Sequence, residues 1–524
     1  MKKTFRSGKT RKYDFRLKQL KQLLRGIVEM RQELLEAIEK DLQMGSGAAF
    51  FGHVWGVEEE CRDAVKHLKA WMKHEDRDTS LLLAPAVSQV QHEPFGVALI
   101  FGSWNYPYVV GLGPLVGAIA AGNCAVLKPS EISPASSDAM EKLFKKYLDP
   151  SCYRVLQGGV EVAIQITQKK WDIICFTGST DKGKLVAAAA AKHLVPCILE
   201  LGGKCPMIVD RSADIQFAAF RAAFGRFYNS GQTCLATDYI LVHHDVIERF
   251  KVAFLKEIKK MYSETPKTNK DMGKIISDWH CDRLKDLIET SGGKVLLGGE
   301  VDKSKNYVAP TVIEEPKADS QIMREEIFGP LVPIMAFKTI DEVIDRINDM
   351  DKPLAIYYFG SRFFNPTIER IRNETSSGAF LVNEVIMHMV NSFLPFGGVG
   401  ASGYGKYHGV DGFKAFSNNK AIMLKPTMNI YPYNTIAPPF TRGKEALLAV
   451  LFKIPGTQNQ LKCLLKWIFI LVVIGCLMCC FQQQLYGGLQ GAMGLKQGQC
   501  PFATMAKQLG AKNPHAPGHA GADL

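Results

Sequence analysis

The 524-residue chain is 47% hydrophobic and 22% charged, with a formal net charge of +12. That balance excludes a disordered or collagen-like chain, and at about 150 residues per domain the length suits about three domains with ample core. The charge sits at the ends: residues 1–25 carry ten Lys/Arg against Asp14, and residues 442–466 carry five against Glu445, so the body between is close to neutral. A nucleic-acid enzyme spreads cations over its working face, so no nucleic-acid partner is expected.

In chain order, apolar residues from Phe15 through Leu20, Leu24, Ile27, Leu34 and Ile38 to Leu42 recur at helical spacing, with Gly45 as the expected stop. From residue 97 strand-like and helix-like runs alternate. Val97–Phe101, Cys124–Leu127, Tyr153–Leu156, Ile173–Phe176 and Cys197–Leu201 read as strands, and Leu115–Ala121, Ser136–Tyr147 and Lys182–His193 as the helices between them. Such alternation is the signature of a parallel sheet covered by helices. A second α/β stretch follows over about 205–400, with helices near 214–228, 245–262 and 340–349 and closing strands Leu354–Phe359 and Ala379–Val382. Pro438-Pro439 and Pro455-Gly456 mark a linker.

Next comes Cys463–Phe481, in which Lys466 is the one charge. Nineteen helical residues span roughly 28 Å, close to a hydrocarbon core of ~30 Å, so this run is a candidate transmembrane anchor. Lys453, Lys462 and Lys466 favour its N-terminal side as cytoplasmic. No apolar h-region follows the basic N-terminus, and no zinc-type C-x2-C pair lies outside the apolar run. A reduced, cytosolic catalytic body with single functional thiols is therefore expected.

Phe176–Lys184 joins a strand to a helix. As G-x4-G-K it approaches a P-loop, but Leu185 follows and has no hydroxyl for Mg²⁺. As G-x-T-x-x-G it sets backbone amides at a helix N-terminus, where a dinucleotide pyrophosphate is held. An ordinary βα turn reads the same way, and the motif alone does not decide. Gly398–Gly403 matches G-x-G-x-x-G, yet Gly405 and Gly409 follow, so it reads as a backbone-close loop without a good helix start. Asn229–Cys234 ends a helix beside a glycine, which leaves a thiol accessible and its neighbouring amides free to face an oxyanion. A lone cysteine is most often apolar filler; this setting argues otherwise. No metal-ligand cluster is evident in the sequence.

Seven motifs then stand in one order: Trp104-Asn105-Tyr106-Pro107, Lys128-Pro129-Ser130-Glu131, Phe176 to Gly183, Leu199 to Lys204, Gly231-Gln232-Thr233-Cys234, Glu326 to Pro330 and Pro395 to Gly398. In this order and spacing, over roughly residues 5–430, the chain resembles aldehyde dehydrogenases. The Ala189–His193 run and the 395–409 segment resemble their class 3 branch, and the terminal apolar run resembles its membrane-anchored fatty aldehyde dehydrogenases. The resemblance implies an α/β fold with a Rossmann-type dinucleotide-binding domain (1–80 and 97–204), an α/β catalytic domain (205–404) and a β oligomerisation arm (81–96 and 405–425) that builds a homodimer. A linker (426–460), a C-terminal membrane helix (461–482) and a disordered tail (483–524) complete the expected organisation.

The resemblance also implies the chemistry. Cys234, as thiolate, is the nucleophile for the aldehyde carbonyl. Asn105 and the backbone N–H of Cys234 stabilise the oxyanion of the thiohemiacetal, at about 3 kcal/mol per donor. Once hydride has left, Glu200 is the base that activates water against the thioester. Gly178, Ser179, Thr180 and Gly183 belong to the pyrophosphate side, Lys128 and Glu131 to the adenosine ribose, and Glu326 and Phe328 to the nicotinamide ribose. The Glu131 carboxylate repels a 2′-phosphate, so NAD is expected ahead of NADP, which the branch often accepts.

The expected function is NAD(P)-dependent oxidation of medium- to long-chain aliphatic aldehydes to carboxylic acids at a lipid membrane, the endoplasmic reticulum ahead of the mitochondrial outer membrane or peroxisome. Two readings stand beside it. An acylating dehydrogenase would pass the thioester to coenzyme A, and Glu200 speaks against it. A catalytically silent membrane-tethered scaffold is opposed by the intact Asn105, Glu200 and Cys234. Asp181-Lys182, Cys205 and Asn383-Glu384 depart from the family pattern.

Overall fold

The first apolar stripe folds as two helices, Tyr13–Glu29 and Arg31–Leu42, which meet at Met30 (φ −95°, ψ 9°). Leu20, Leu23 and Ile27 are buried on one, Leu34, Leu35 and Ile38 on the other. The apolar spacing runs on across the junction, so the pattern does not reveal it. The second helix ends at Leu42 with Gln43 in the left-handed region (φ 48°), and Gly45 is instead the N-cap of the short helix Ser46–Ala49.

The computed structural model describes residues 1–80, 83, 85–363, 365–427, 436–451, 453 and 465–474. They fall into two units, 1–74 with 91–420, and 75–90 with the chain from 421 onward.

The first unit holds two large sheets and a two-stranded one, Val301–Asp302 with Tyr307–Val308. One has six strands in the order Gly403–Tyr404, Cys197–Glu200, Ile173–Thr177, Val97–Phe101, Cys124–Lys128, Tyr153–Val155, all parallel except Gly403–Tyr404. Val97–Phe101 and Cys124–Lys128 are buried at every position, because helices cover both faces; this is why they read as unbroken apolar runs. The helices between are Pro107–Ala121, Pro134–Tyr147 and Thr180–Ala191. The first two start earlier than their apolar stretches suggest, each with a proline in the first turn, where its missing N–H costs nothing. Gly398–Gly403 forms no helix beyond the turn Gly400–Ser402 and leads straight into the edge strand, which pairs Gly403 with Glu200.

The second sheet runs Lys294–Leu297, Thr311–Glu314, Leu331–Phe337, Thr237–His243, Cys205–Val209, Ala355–Phe359, Ala379–Val382, parallel throughout except for the first strand. Helices Ile215–Phe227 and Ile247–Tyr262 pack against one another beside it.

A three-stranded sheet is built from Glu75–Arg77, Val87–Pro94 and Ser417–Leu424. Its last strand starts later than the expected arm boundary at 405. The chain before it instead forms helix Gly409–Ala415, which packs on Pro107–Ala121 with Phe413 fully buried. Gly117 permits this approach: a Cβ there would lie 3.1 Å from the Gly412 carbonyl carbon.

In the second unit, Glu75–Arg77 pairs antiparallel with Ser88–Val90. Within the expected linker, Arg442–Leu451 is a helix; its Glu-Ala-Leu-Leu-Ala run has strong helix propensity. Of the candidate anchor 461–482, residues 465–474 are described and are helical, with Trp467, Phe469 and Leu471 exposed. No helix among the described residues is long and apolar enough to cross a membrane. The remainder of that candidate span and the tail 483–524 lie outside the described residues.

Candidate active site

Four parallel strands of the six-stranded sheet end on one cavity of about 1230 Å³. Val97–Phe101 leads to Asn105, Cys124–Lys128 to Glu131, Ile173–Thr177 to Gly178, and Cys197–Glu200 ends on Glu200 itself. The carboxyl ends of parallel strands are where open α/β sheets take their ligands. Asn105, Lys128, Glu131, Gly178, Ser179, Thr180, Glu200, Cys234, Glu326 and Phe328 all line this cavity. Gly183 is placed otherwise. It lies inside helix Thr180–Ala191, and a Cβ there would meet Leu201 at 2.6 Å, so it seats the helix on the sheet and does not line the cavity.

The segment carrying Cys234 is shaped by its own backbone. Helix Ile215–Phe227 gives way to a turn over Tyr228–Gly231 in which Asn229 and Ser230 (both φ 52°) and Gly231 (φ 70°) are left-handed. Gln232 pins this turn: its Nε2 donates to Lys274 O (2.9 Å) and its Oε1 accepts from Ile276 N (3.0 Å). Asn105 holds the same segment from the other sheet. Its Nδ2 donates to Gln232 O (3.0 Å), its Oδ1 accepts from Ser103 Oγ (2.6 Å), and its carbonyl accepts from Asn229 Nδ2 (3.0 Å). One Nδ2 hydrogen of Asn105 remains for a ligand. Tyr106 Oη and Thr233 Oγ1 are 2.7 Å apart, and Cys205 Sγ donates to Cys234 O at 3.5 Å. The Cys205 departure from the family pattern thus fills a packing position behind the nucleophile segment.

Cys234 as a residue is half-buried. Burial raises its pKa, with the Glu326 and Glu200 carboxylates adding to the effect, while the backbone N–H groups of Cys234 and Leu235 oppose it. Those amides stabilise negative charge on sulfur and on an oxygen formed beside it.

Glu200 is 3% exposed and neither carboxylate oxygen has a hydrogen-bond partner among the described residues. Burial raises its pKa well above the usual carboxylate range, and Lys406 opposes the shift. The carboxyl is therefore a free acceptor. Glu326 is raised to about 8, by burial and then by Asp238, against the Gly203 amide, Lys204 and Arg226. Its carboxylate sits where a side chain on Gly202 would be: a Cβ there would lie 1.8 Å from Glu326 Oε2. Phe328 follows in a left-handed conformation (φ 48°) with its ring edge-on to Trp104, centroids 5.4 Å apart. Lys128 is 4% exposed and donates to Glu131 Oε2 at 2.5 Å.

Several groups were not singled out from sequence. Lys204 Nζ, quoted only as part of a motif, donates to Asp238 Oδ2 (2.5 Å) and to the carbonyls of Ile322 and Glu325 (2.8 Å each). Arg226 Nη1 and the Ile327 amide both reach Asp238 Oδ1 at 3.1 Å. This buried cluster fixes the loop that presents Glu326. Lys406 lies beside Glu200. Past Tyr106, Val109, Met389 and His408 the cavity adjoins an apolar recess of about 40 Å³ walled by Phe51, Phe224, Tyr228 and Met387. Its walls come from segments too far apart in sequence for any local pattern to mark.

A dinucleotide suits this donor set. Glu326 lines the cavity, and its Oε1 is buried with no hydrogen-bond partner among the described residues, an acceptor that a ribose hydroxyl would satisfy. Ser179 and Thr180 open a twelve-residue helix whose first amides face the same space.

A model of the aldehyde dehydrogenase family matches residues 1–422. Aldehyde dehydrogenase family 3 member B1 of Rattus norvegicus is 41% identical over 455 residues, 86% of this chain and 96% of the relative. The Rattus norvegicus protein "Aldehyde dehydrogenase, dimeric NADP-preferring" is 40% identical over 439 residues, 83% and 95% of the two chains. Among solved structures, the substrate-bound state of Staphylococcus aureus AldH superposes with a TM-score of 0.83 at 37% identity, covering 86% of this chain and 98% of that one. The chain therefore belongs to the aldehyde dehydrogenase family, in its class 3 branch, and is an NAD(P)-dependent aldehyde dehydrogenase.

Proposed function

We propose that this enzyme oxidises medium- to long-chain aliphatic aldehydes to carboxylic acids, with Cys234 as nucleophile. The observation that carries the reading is the apolar lining of the Cys234 cavity, where Trp104, Val109, Met389 and Phe396 wall a volume that the small recess beyond Tyr106 extends. Each methylene buried there favours binding by about 0.8 kcal/mol, which rewards alkyl chains over small polar aldehydes.

In this reading the Cys234 sulfur attacks the carbonyl carbon and the oxygen becomes an oxyanion. The free Nδ2 hydrogen of Asn105 and the Cys234 amide stabilise that charge. Bound NAD or NADP supplies the hydride acceptor; Glu326 and Phe328 would hold its nicotinamide side, Gly178, Ser179 and Thr180 its pyrophosphate, and Lys128 and Glu131 its adenosine ribose. Glu200 then takes a proton from water, which attacks the thioester. A buried carboxylate with a raised pKa and no hydrogen bonds is a receptive base for that step.

The direct test is NADH or NADPH formation with hexadecanal. A folded wild-type protein inactive on every aliphatic aldehyde tried would sink the substrate assignment, and C234S should abolish turnover while leaving the fold intact.

The same reading extends to location and assembly. The apolar run continuing to Phe481, with exposed Trp467, Phe469 and Leu471, supports attachment to a membrane with the catalytic body in the cytosol, the endoplasmic reticulum being the choice that the resemblance favours over the mitochondrial outer membrane or peroxisome. The relative named as dimeric and NADP-preferring supports a homodimer and some use of NADP. Fractionating the full-length protein beside a truncation at about residue 460 tests the anchor; the reading fails if both forms stay soluble.

A further inference from the structure

Glu200 has to be ionised to accept a proton, yet it is buried and no group hydrogen-bonds it. The cation facing it is Lys406, which comes from the chain that follows the edge strand. That strand pairs Gly403 with Glu200 and Tyr404 with Leu199, so the chain that carries Lys406 leaves the sheet beside Glu200. The register is locked again where Phe396 and Tyr407 exchange two backbone hydrogen bonds of 2.8 Å.

The Lys406 ammonium is not free to reach Glu200. It donates to Gly397 O and, at 3.2 Å, to Gly398 O. Its stem and the carboxylate meet across Gly397: a Cβ on that glycine would lie 2.7 Å from Glu200 Oε1 and 2.9 Å from Lys406 Cδ. The two carbonyls thus anchor a cation next to Glu200 without letting it close an ion pair that would occupy the carboxylate oxygens. The other titratable groups that sense Glu200 are Cys175, Cys234 and Tyr407, and His388 faces Lys406 from the turn Met387–Val390. None of these is positively charged in its ordinary state: Cys175 and Tyr407 are raised by burial, and His388 is lowered to about 4, first by burial and then by Lys406.

We infer that Lys406 is a positioning residue for Glu200, a carbonyl-tethered cation that favours the ionised form of the buried carboxylate while leaving its oxygens unoccupied by an ion pair. This rests on the hydrolytic role proposed above for Glu200. A fixed positive charge nearby favours the carboxylate form, so its removal raises the pH at which the base becomes active.

The test is the pH dependence of acyl-enzyme hydrolysis in the full-length protein. 4-Nitrophenyl acetate serves as acyl donor, because an activated ester acylates Cys234 with no hydride step. With K406M, the nitrophenolate burst should persist while the acidic limb of hydrolysis moves up by about one pH unit, about a tenfold loss on that limb. K406R should keep the wild-type limb. An unmoved limb in folded K406M overturns the inference, and so does a uniform loss at every pH. If K406M fails to fold, K406Q is read the same way; failure of both to fold makes Lys406 a structural clamp and also overturns it. E200Q separates the two levels. Hydrolysis unaffected by E200Q overturns the reading of Glu200 and this inference with it, whereas loss of hydrolysis in E200Q beside an unmoved K406M limb overturns the inference alone.

Discussion

Replacing Asn105 by alanine removes the acceptor of the part-buried Ser103 hydroxyl and two further things that the geometry keeps distinct. The Nδ2 hydrogen not used by Gln232 O is lost as an oxyanion donor, which should cost about 3 kcal/mol at the transition state, or about 100-fold in kcat/KM. The hydrogen bond to Gln232 O is lost as well, for about 1 kcal/mol of stability, because Asn229 Nδ2 still approaches that carbonyl at 3.4 Å. The stability term is too small to unfold the protein, so the kinetic term is measurable. Steady-state oxidation of an aliphatic aldehyde gives kcat/KM, and the cofactor KM should not move. Iodoacetamide alkylation of Cys234 provides the internal control. Displacement of iodide by sulfur builds no oxyanion, so its rate should stay within about threefold of wild type. Folded N105A with kcat/KM also within about threefold of wild type would refute the oxyanion role. Alkylation falling in step with turnover would show instead that Asn105 only positions the thiol.

Three further outcomes follow from the same structure. In G202A the new methyl would sit on Glu326 Oε2, and because that atom ends a flexible side chain the fold should survive while the carboxylate swings away; the KM for NAD or NADP should rise with little change in thermal stability. In K204M the buried Asp238 keeps Arg226 and loses its ammonium partner, which should destabilise the protein by about 3 kcal/mol in urea unfolding. His53 is fully buried with neither ring nitrogen partnered among the described residues, stacked on Tyr106 at 4.8 Å, and burial lowers its pKa to about 3. Its unfolded value is near 6.5, so below that pH only the unfolded chain takes the proton and stability falls by about 1.4 kcal/mol per pH unit down to about pH 3. H53F should flatten that acid-side loss without affecting stability at about pH 8; an unchanged slope would show that His53 already gains a proton in the folded protein.

Much of the fold was legible because the strands of a doubly covered parallel sheet are apolar on both faces. Val97–Phe101 and Ala379–Val382 have the bounds read from their residues, and the other five strands named from sequence differ by one residue at an end, whereas strands such as Cys205–Val209, Thr237–His243 and Leu331–Phe337 were not read. The candidate residues were legible for a related reason: Asn105, Lys128, Gly178 and Glu200 stand at or just beyond strand ends, where an apolar run stops and polar residues begin. Their roles came from the resemblance of ordered motifs, since Glu200 by itself is only a carboxylate before two glycines. The break at Met30 was not legible, since two helices that bury one continuous stripe share its period. The late start of the strand Ser417–Leu424 was missed because Gly409–Ala415 is a two-glycine helix with almost no apolar pattern of its own.

By itself, then, the sequence determined the strands that lead to the cavity, which glycines and carboxylates flank them, and that the charge belongs to the ends and not to the catalytic body. Tertiary structure alone decided that Gly183 packs on Leu201 and does not line the cavity, that Lys204 and Asp238 hold the loop bearing Glu326, and that Lys406 stands across Gly397 from Glu200. Local patterning reports whether a residue is buried. It carries no record of which residue 200 positions away is packed against it, and the electrostatics of a buried carboxylate are set by that neighbour.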